Sequence, residues 1–192
     1  GFQTLPHIAV GRRGEIVATW QSLITIQGRR FDAAGNALGA EFLVNSPTAA
    51  AQYRPHVGRA SDGRFVVAWR SDAIDGSGGG IAARRFDAGG NPLGAEFVVN
   101  TYTTGFQNPG ELAVDASGNF VVVWEDTSGH DGSSFGIFGQ RYDRSGAPAG
   151  AEFPVNTYTT GAQQVASVGM DGGGGFVVAW TLVRYKFPGK RI

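Results

Sequence analysis

The sequence predicts an all-β fold, a β-propeller-like array of four-stranded blades with three complete copies and a partial fourth. Three observations predict it. Trp20, Trp69, Trp124 and Trp180 mark one unit repeated at spacings of 49, 55 and 56 residues. Gln3, Gln52, Gln107 and Gln163 each stand 17 residues before their tryptophan, and the string GAEF recurs at Gly39 to Phe42, Gly94 to Phe97 and Gly150 to Phe153. No window carries a helical period, whereas β-branched runs alternate with Gly and Asp turn signals throughout. Repeats of this length and content are the signature of propeller blades, each of which buries its faces only against its neighbours.

The third copy shows each strand in order. Glu111 to Asp115 is a short alternating run, Ala116 to Asn119 has turn chemistry, and Phe120 to Trp124 is a β-branched and aromatic strand. After a variable loop come Gly136 to Tyr142, the turn Asp143 to Gly146, and the last strand within Gly150 to Asn156. Asp143 and Gly146 fit a type I turn closed by a left-handed glycine, and Asp32 to Gly35 and Asp87 to Gly90 repeat it. The runs Phe65 to Trp69 and Phe176 to Trp180 are apolar almost throughout, as a strand covered on both faces requires, and the tryptophans are expected to pack between blades. One repeat domain over residues 1–192 follows, with blades at 1–45, 50–100 and 105–156 and a partial copy at 161–192. Gly1 to Gln3 aligns with Gly105 to Gln107, so the chain is expected to be a piece of something longer. Residues 181–192 carry neither the aromatic-Asp turn nor GAEF, which is expected to give either a four-bladed ring with a deficient last blade or an arc completed by further chain or a second copy.

All the length variation sits in one interval. Trp20 to Phe31 spans 11 residues, Trp69 to Phe86 spans 17 and Trp124 to Tyr142 spans 18. Insertions collect on surface loops, where binding residues also concentrate. In a blade, the loop between the second and third strands emerges beside the linker to the next blade, so Asp72, Asp75, Asp126, His130 and Asp131 are expected to share a rim with Tyr102, Thr103, Thr104, Tyr158, Thr159 and Thr160.

Composition narrows the function. Sixteen basic and sixteen acidic residues give zero net charge, which argues against nucleic acid, a membrane surface or a polyanion held by bulk electrostatics. Cysteine is absent, so neither a disulfide framework nor a thiolate metal site exists. No apolar stretch approaches the roughly 18 residues of a membrane span.

The strings GAEFVVNTYTTG (Gly94 to Gly105) and GAEFPVNTYTTG (Gly150 to Gly161), with the loops DGSGGGI (Asp75 to Ile81) and DGSSFGI (Asp131 to Ile137), resemble a repeat of large secreted bacterial proteins. Those proteins often also carry hemolysin-type calcium-binding or cadherin-like modules. The resemblance implies a secreted, extracellular repeat module and names no ligand.

Two ligands are suggested by the rim. Calcium needs six to eight oxygens, and Asp72, Asp75, Asp126 and Asp131 offer carboxylates beside hydroxyls and loop carbonyls. The spacing is not that of an EF-hand, and Asp and Gly equally make tight turns. No other cofactor is expected. A glycan would find apolar platforms in Tyr102 and Tyr158, hydroxyls in Thr103, Thr104, Thr159 and Thr160, and a ring in His130, although TYTTG equally reads as a structural linker. Arg30, Arg85 and Arg141 are expected to pair across strands with Glu41, Glu96 and Glu152, and the recurring Gln to satisfy linker backbone.

Catalytic signatures are scarce. There is no GxSxG, no HExxH and no cysteine nucleophile. His7 and His56 both follow a proline in a first strand and read as strand residues, while Glu125 and Asp126 are adjacent and point apart. The sequence therefore points to an extracellular, non-catalytic binding or structural module with a glycan or protein ligand. The alternative is a carbohydrate-active enzyme or lectin domain whose rim acids and tyrosines meet a glycan.

Overall fold

The computed structural model describes residues 2–46, 49–72, 74–132 and 135–183. Of the partial fourth copy, the stretch 184–192 therefore lies outside the described residues. Fourteen strands and no helix are found among them. The first sheet comprises β1 (Gln3–Val10), β2 (Ile16–Ser22), β3 (Thr25–Phe31) and β4 (Phe42–Leu43). The second comprises β5 (Gln52–Arg59), β6 (Phe65–Asp72), β7 (Gly79–Phe86) and β8 (Phe97–Val98), and the third β9 (Gln107–Val114), β10 (Phe120–Asp126), β11 (Gly136–Tyr142) and β12 (Phe153–Pro154). A two-stranded sheet of β13 (Ala162–Met170) and β14 (Phe176–Val183) follows. Within the four sheets every strand pair is antiparallel and in chain order, and the first strands of successive sheets lie side by side. The arrangement is β-propeller-like.

Each sheet is locked by the residues that recur. Asn45, Asn100 and Asn156 are buried and accept the backbone N–H of Ile26, Ile81 and Ile137 at 2.8, 2.7 and 2.7 Å. Gln52, Gln107 and Gln163 are buried and donate to linker carbonyls, as at Ala50 (2.9 Å) and Thr104 (3.0 Å), and Gln52 Oε1 also accepts the Trp69 indole N–H at 2.6 Å. The turn glycines Gly35, Gly90 and Gly146 have φ of 84°, 85° and 83°, left-handed as the Asp-to-Gly turns require.

The core lies between sheets. Val17 and Ile26 of the first sheet pack with Phe65, Val67 and Trp69 of the second, and Val66, Ala68 and Ile81 of the second with Phe120, Val122 and Trp124 of the third. Aromatic pairs close the far end, Phe65 on Phe86 at 4.9 Å and Phe120 on Tyr142 at 4.8 Å. Trp69 and Trp124 are fully covered, whereas Trp180 is 41% exposed.

The two ends of the array are open. Ile8 is 58% exposed where its repeat equivalents Val57 and Leu112 are 2% and 5% exposed. Val177 is 71% exposed where Val66 and Val121 are 4% and 0%. The same side chains that seal the interior joints are uncovered at both outer faces.

One expectation is corrected. The arginines before the aromatic-Asp turns do not pair with the GAEF glutamates: Arg30 donates to the carbonyls of Ala88 and Leu38, and Arg85 to those of Arg144 and Leu93. The glutamates reach the preceding linker instead, Glu96 accepting from Ser46 N and Glu152 from Thr101 N and Oγ1. Turn carbonyls of the next sheet accept from the Arg30 and Arg85 guanidinium groups, and linker N–H groups would otherwise be unsatisfied.

Candidate functional site

The first strands share an irregularity opposite the repeated tryptophan. Pairing skips Leu5 and Pro6 opposite Trp20, Arg54 and Pro55 opposite Trp69, and Val165 and Ala166 opposite Trp180; in β9 the shift comes at Gly110, beside Pro109 and Trp124. Leu5, Arg54 and Val165 hold φ of 51°, 50° and 56°, a left-handed conformation that costs a non-glycine residue about 1 kcal/mol or more. Bulges re-aim the side chains beside them. Here the residue four after each Gln is affected: His7, His56, Glu111 and Ser167.

Three of these converge on the axis where the first strands meet. His7 Nε2 lies 3.0 Å from Glu111 Oε1, and His56 Nδ1 lies 3.2 Å from the same oxygen. The imidazole rings are 4.8 Å apart. Burial pushes the Glu111 carboxyl up, but the hydrogen bonds and charge of His56 and His7 outweigh it and hold it at about 2. Glu111 is therefore an anion and both histidines donate to it. His7 Nδ1 accepts the backbone N–H of Val57 at 3.2 Å, so its proton is fixed on Nε2 and both ring nitrogens are engaged. His56 Nε2 has no partner among the described residues.

The three groups lie within 4.8 Å of one another, close enough for a metal ion. The hydrogen bonds do not favour one. A ligating imidazole donates its other N–H to a neighbour, whereas His7 Nδ1 faces a donor and must remain an acceptor.

Beside the cluster lies a cavity of about 300 Å³, lined by His7, Arg54, His56, Asn108, Glu125 and Val165 among others. It opens at the end of the array where the first strands begin and β10 ends, the end that also carries the variable loops and linkers. Burial pushes the Glu125 carboxyl up, against the opposing pull of the Val165 backbone N–H, the Arg54 charge and an Asn108 hydrogen bond. Two carboxyl groups at one axis are thus biased in opposite directions, the arrangement that assigns acid and base roles in enzyme sites.

The rim residues are brought to that same end but are largely engaged with one another. Tyr102 stacks on His130 at 3.8 Å and His130 on Phe138 at 4.6 Å, so one Tyr102 face is already covered. Tyr158 is 50% exposed, and Thr103 and Thr104 are exposed. Thr159 shares a cavity of about 700 Å³ with His130, Asp131 and Glu152, while the Thr160 carbonyl accepts from Gln163. Asp72 accepts from Arg70, and Asp75 from Ser77 N and Asn100 Nδ2. Asp126 is buried and accepts from Gln107, Ser128 and the His130 N–H, and Asp131 accepts from Asn156. A further groove of about 710 Å³ on the opposite end is lined by Arg12, Arg13, Arg30 and Arg59 and lies away from the axial carboxyls.

The axial residues escaped the sequence reading of function. Glu111 was legible only by aligning position four after each Gln, which lines up His, His, Glu and Ser.

No protein-family model matches the chain, and no curated protein matches it in sequence. Solved structures do share its fold. A Dyadobacter fermentans protein of unknown function aligns over 94% of this chain and 62% of its own, with a TM-score of 0.68 and 14% identity. The Hadza microbial sialidase Hz136 aligns over 94% and 46%, with a TM-score of 0.58 and 11% identity. An α-L-arabinofuranosidase of Fusarium graminearum aligns over 91% and 57%, with a TM-score of 0.59 and 13% identity. The chain thus spans about half to three-fifths of these proteins. The expectation of a non-catalytic module is corrected by this comparison: the enzymes that share the fold act on carbohydrates, and they favour the alternative reading.

Proposed function

We propose that this chain is part of a secreted, carbohydrate-active propeller whose glycan enters the axial cavity at the end bearing the variable loops. The observation that carries the reading is the pair Glu111 and Glu125, one carboxyl held anionic by two histidines and the other pushed up by burial beside the same cavity. Such a pair supplies an acid together with a charge-fixed partner for bond cleavage at a sugar. Further blades, in a longer chain or a second copy, would cover the open faces at Ile8 and Val177 and complete the ring. Tyr158, Thr159 and His130 would meet the glycan further out on the rim.

A panel of neutral and acidic oligosaccharides, read for new reducing ends, tests the proposal. Turnover on at least one class, reduced about a hundredfold or more in Glu125→Gln, is the expected result. Turnover unchanged by that substitution, or none on any glycan from folded protein, would contradict it.

A further inference from the structure

We propose that the axial site cleaves a uronate-bearing glycan by β-elimination, with His56 as the base, Arg54 as the group that binds and neutralises the sugar carboxylate, and Glu125 as the acid. The inference rests on the carbohydrate-active reading and adds to it a substrate class and a reaction.

The two axial histidines differ in what they can do. His7 is held at both nitrogens, by Glu111 and by the Val57 N–H. His56 donates Nδ1–H to Glu111, which places its lone pair on Nε2, and that nitrogen is not bonded to any described residue. An imidazole backed by a carboxylate on one nitrogen and open on the other is poised to take a proton, because the carboxylate steadies the imidazolium that results. Glu111 itself is less suited to attack a sugar carbon: its Oε1 serves both rings, and an approach to substrate would strip it of two hydrogen bonds.

Arg54 supplies the second element. It stands two residues before His56 on the strained bulge, lines the same cavity, is exposed, and its guanidinium donates no hydrogen bond to a described residue. A guanidinium binds a carboxylate through a two-pronged fork. A sugar carboxylate gripped there would bring its α-carbon, C5, beside the His56 ring, and neutralising its charge is what makes the C5 proton removable. This is one local contact rather than bulk attraction, consistent with zero net charge.

The step balances without water or a redox partner. His56 Nε2 takes the C5 proton, the freed electron pair forms the C4–C5 double bond, and the C4–O4 bond breaks with its pair on O4. Glu125 delivers its proton to O4. His56 then returns its proton to solvent, and Glu125 takes one up.

The full chain would be incubated with polygalacturonate, alginate, glucuronan and neutral arabinan, following ultraviolet absorbance of the new conjugated double bond and reducing ends together. The expected result is parallel growth of both signals on a polyuronate only, reduced about a hundredfold or more in His56→Asn and Arg54→Gln. His56→Asn keeps a donor for Glu111, and circular dichroism verifies its folding. Glu111→Gln, a positioning change, should lower kcat while leaving KM nearly unchanged. Reducing ends without absorbance, or cleavage of arabinan alone, would overturn the elimination and leave the carbohydrate-active reading standing. Polyuronate cleavage indifferent to His56→Asn would overturn the assignment of the base. No cleavage of any glycan by folded protein would overturn both readings.

Discussion

Glu111 of the third sheet and His56 of the second meet at 3.2 Å on the axis, and the same glutamate oxygen receives His7 of the first sheet at 3.0 Å. One carboxylate thereby ties three sheets together.

That tie makes stability depend on pH. The folded carboxyl sits at about 2, below its ordinary 4.5, so its contribution is fully present above the ordinary value and is lost as pH falls through the range between the two. Solvent screening at this partly exposed cluster reduces the size to about 1–2 kcal/mol. Denaturation midpoints measured from pH 6 down to pH 2 should fall more steeply in the parent than in Glu111→Gln, with the two curves converging at the acid end.

The interior tryptophans should dominate the core. Trp69→Ala removes a fully covered side chain and leaves buried Gln52 Oε1 without its 2.6 Å donor, at a cost of about 3–5 kcal/mol for the packing alone. Trp180→Ala, at a position 41% exposed, should cost markedly less by chemical denaturation.

The fold was readable because every repeat obeys the same local rules. The Asn, Gln and Asp-to-Gly positions each satisfy a fixed backbone need and the interior Trp positions fill the joints between sheets, so spacing alone revealed four strands per unit. The catalytic candidates were not readable in that way. His7, His56 and Glu111 are 49 and 55 residues apart in sequence and become neighbours only because the first strands crowd one axis. Glu125 and Asp126 are adjacent acids that point apart, and only the fold shows that Asp126 turns to buried Gln107 while Glu125 reaches the cavity. The stacking of Tyr102 on His130 depends on loop conformation that spacing does not encode.

The Asn positions offer a graded test of that repeat logic. Asn100 accepts Ile81 N at 2.7 Å and donates to Asp75 and to the Tyr102 carbonyl. Asn100→Ala leaves buried groups unpaired and should destabilise by about 1–3 kcal/mol. The same change should loosen the loop holding Asp75, read as faster amide exchange over residues 74–78.

The open faces predict association of the chain on its own. Ile8 and Val177 expose apolar surface whose equivalents are sealed inside the array. Light scattering should show species above the monomer, and Ile8→Lys with Val177→Lys should return the chain to a monomer of unchanged circular dichroism.

The central claim is that a glycan occupies the axial cavity, and chemical-shift mapping by heteronuclear NMR tests it most directly. Titrating each oligosaccharide of the panel into labelled protein should perturb the Arg54, His56, Asn108 and Glu125 resonances, with smaller shifts at Tyr158 and Thr159. Shifts confined to the groove of Arg12, Arg13 and Arg59 at the opposite end, or none with any oligosaccharide, would contradict it.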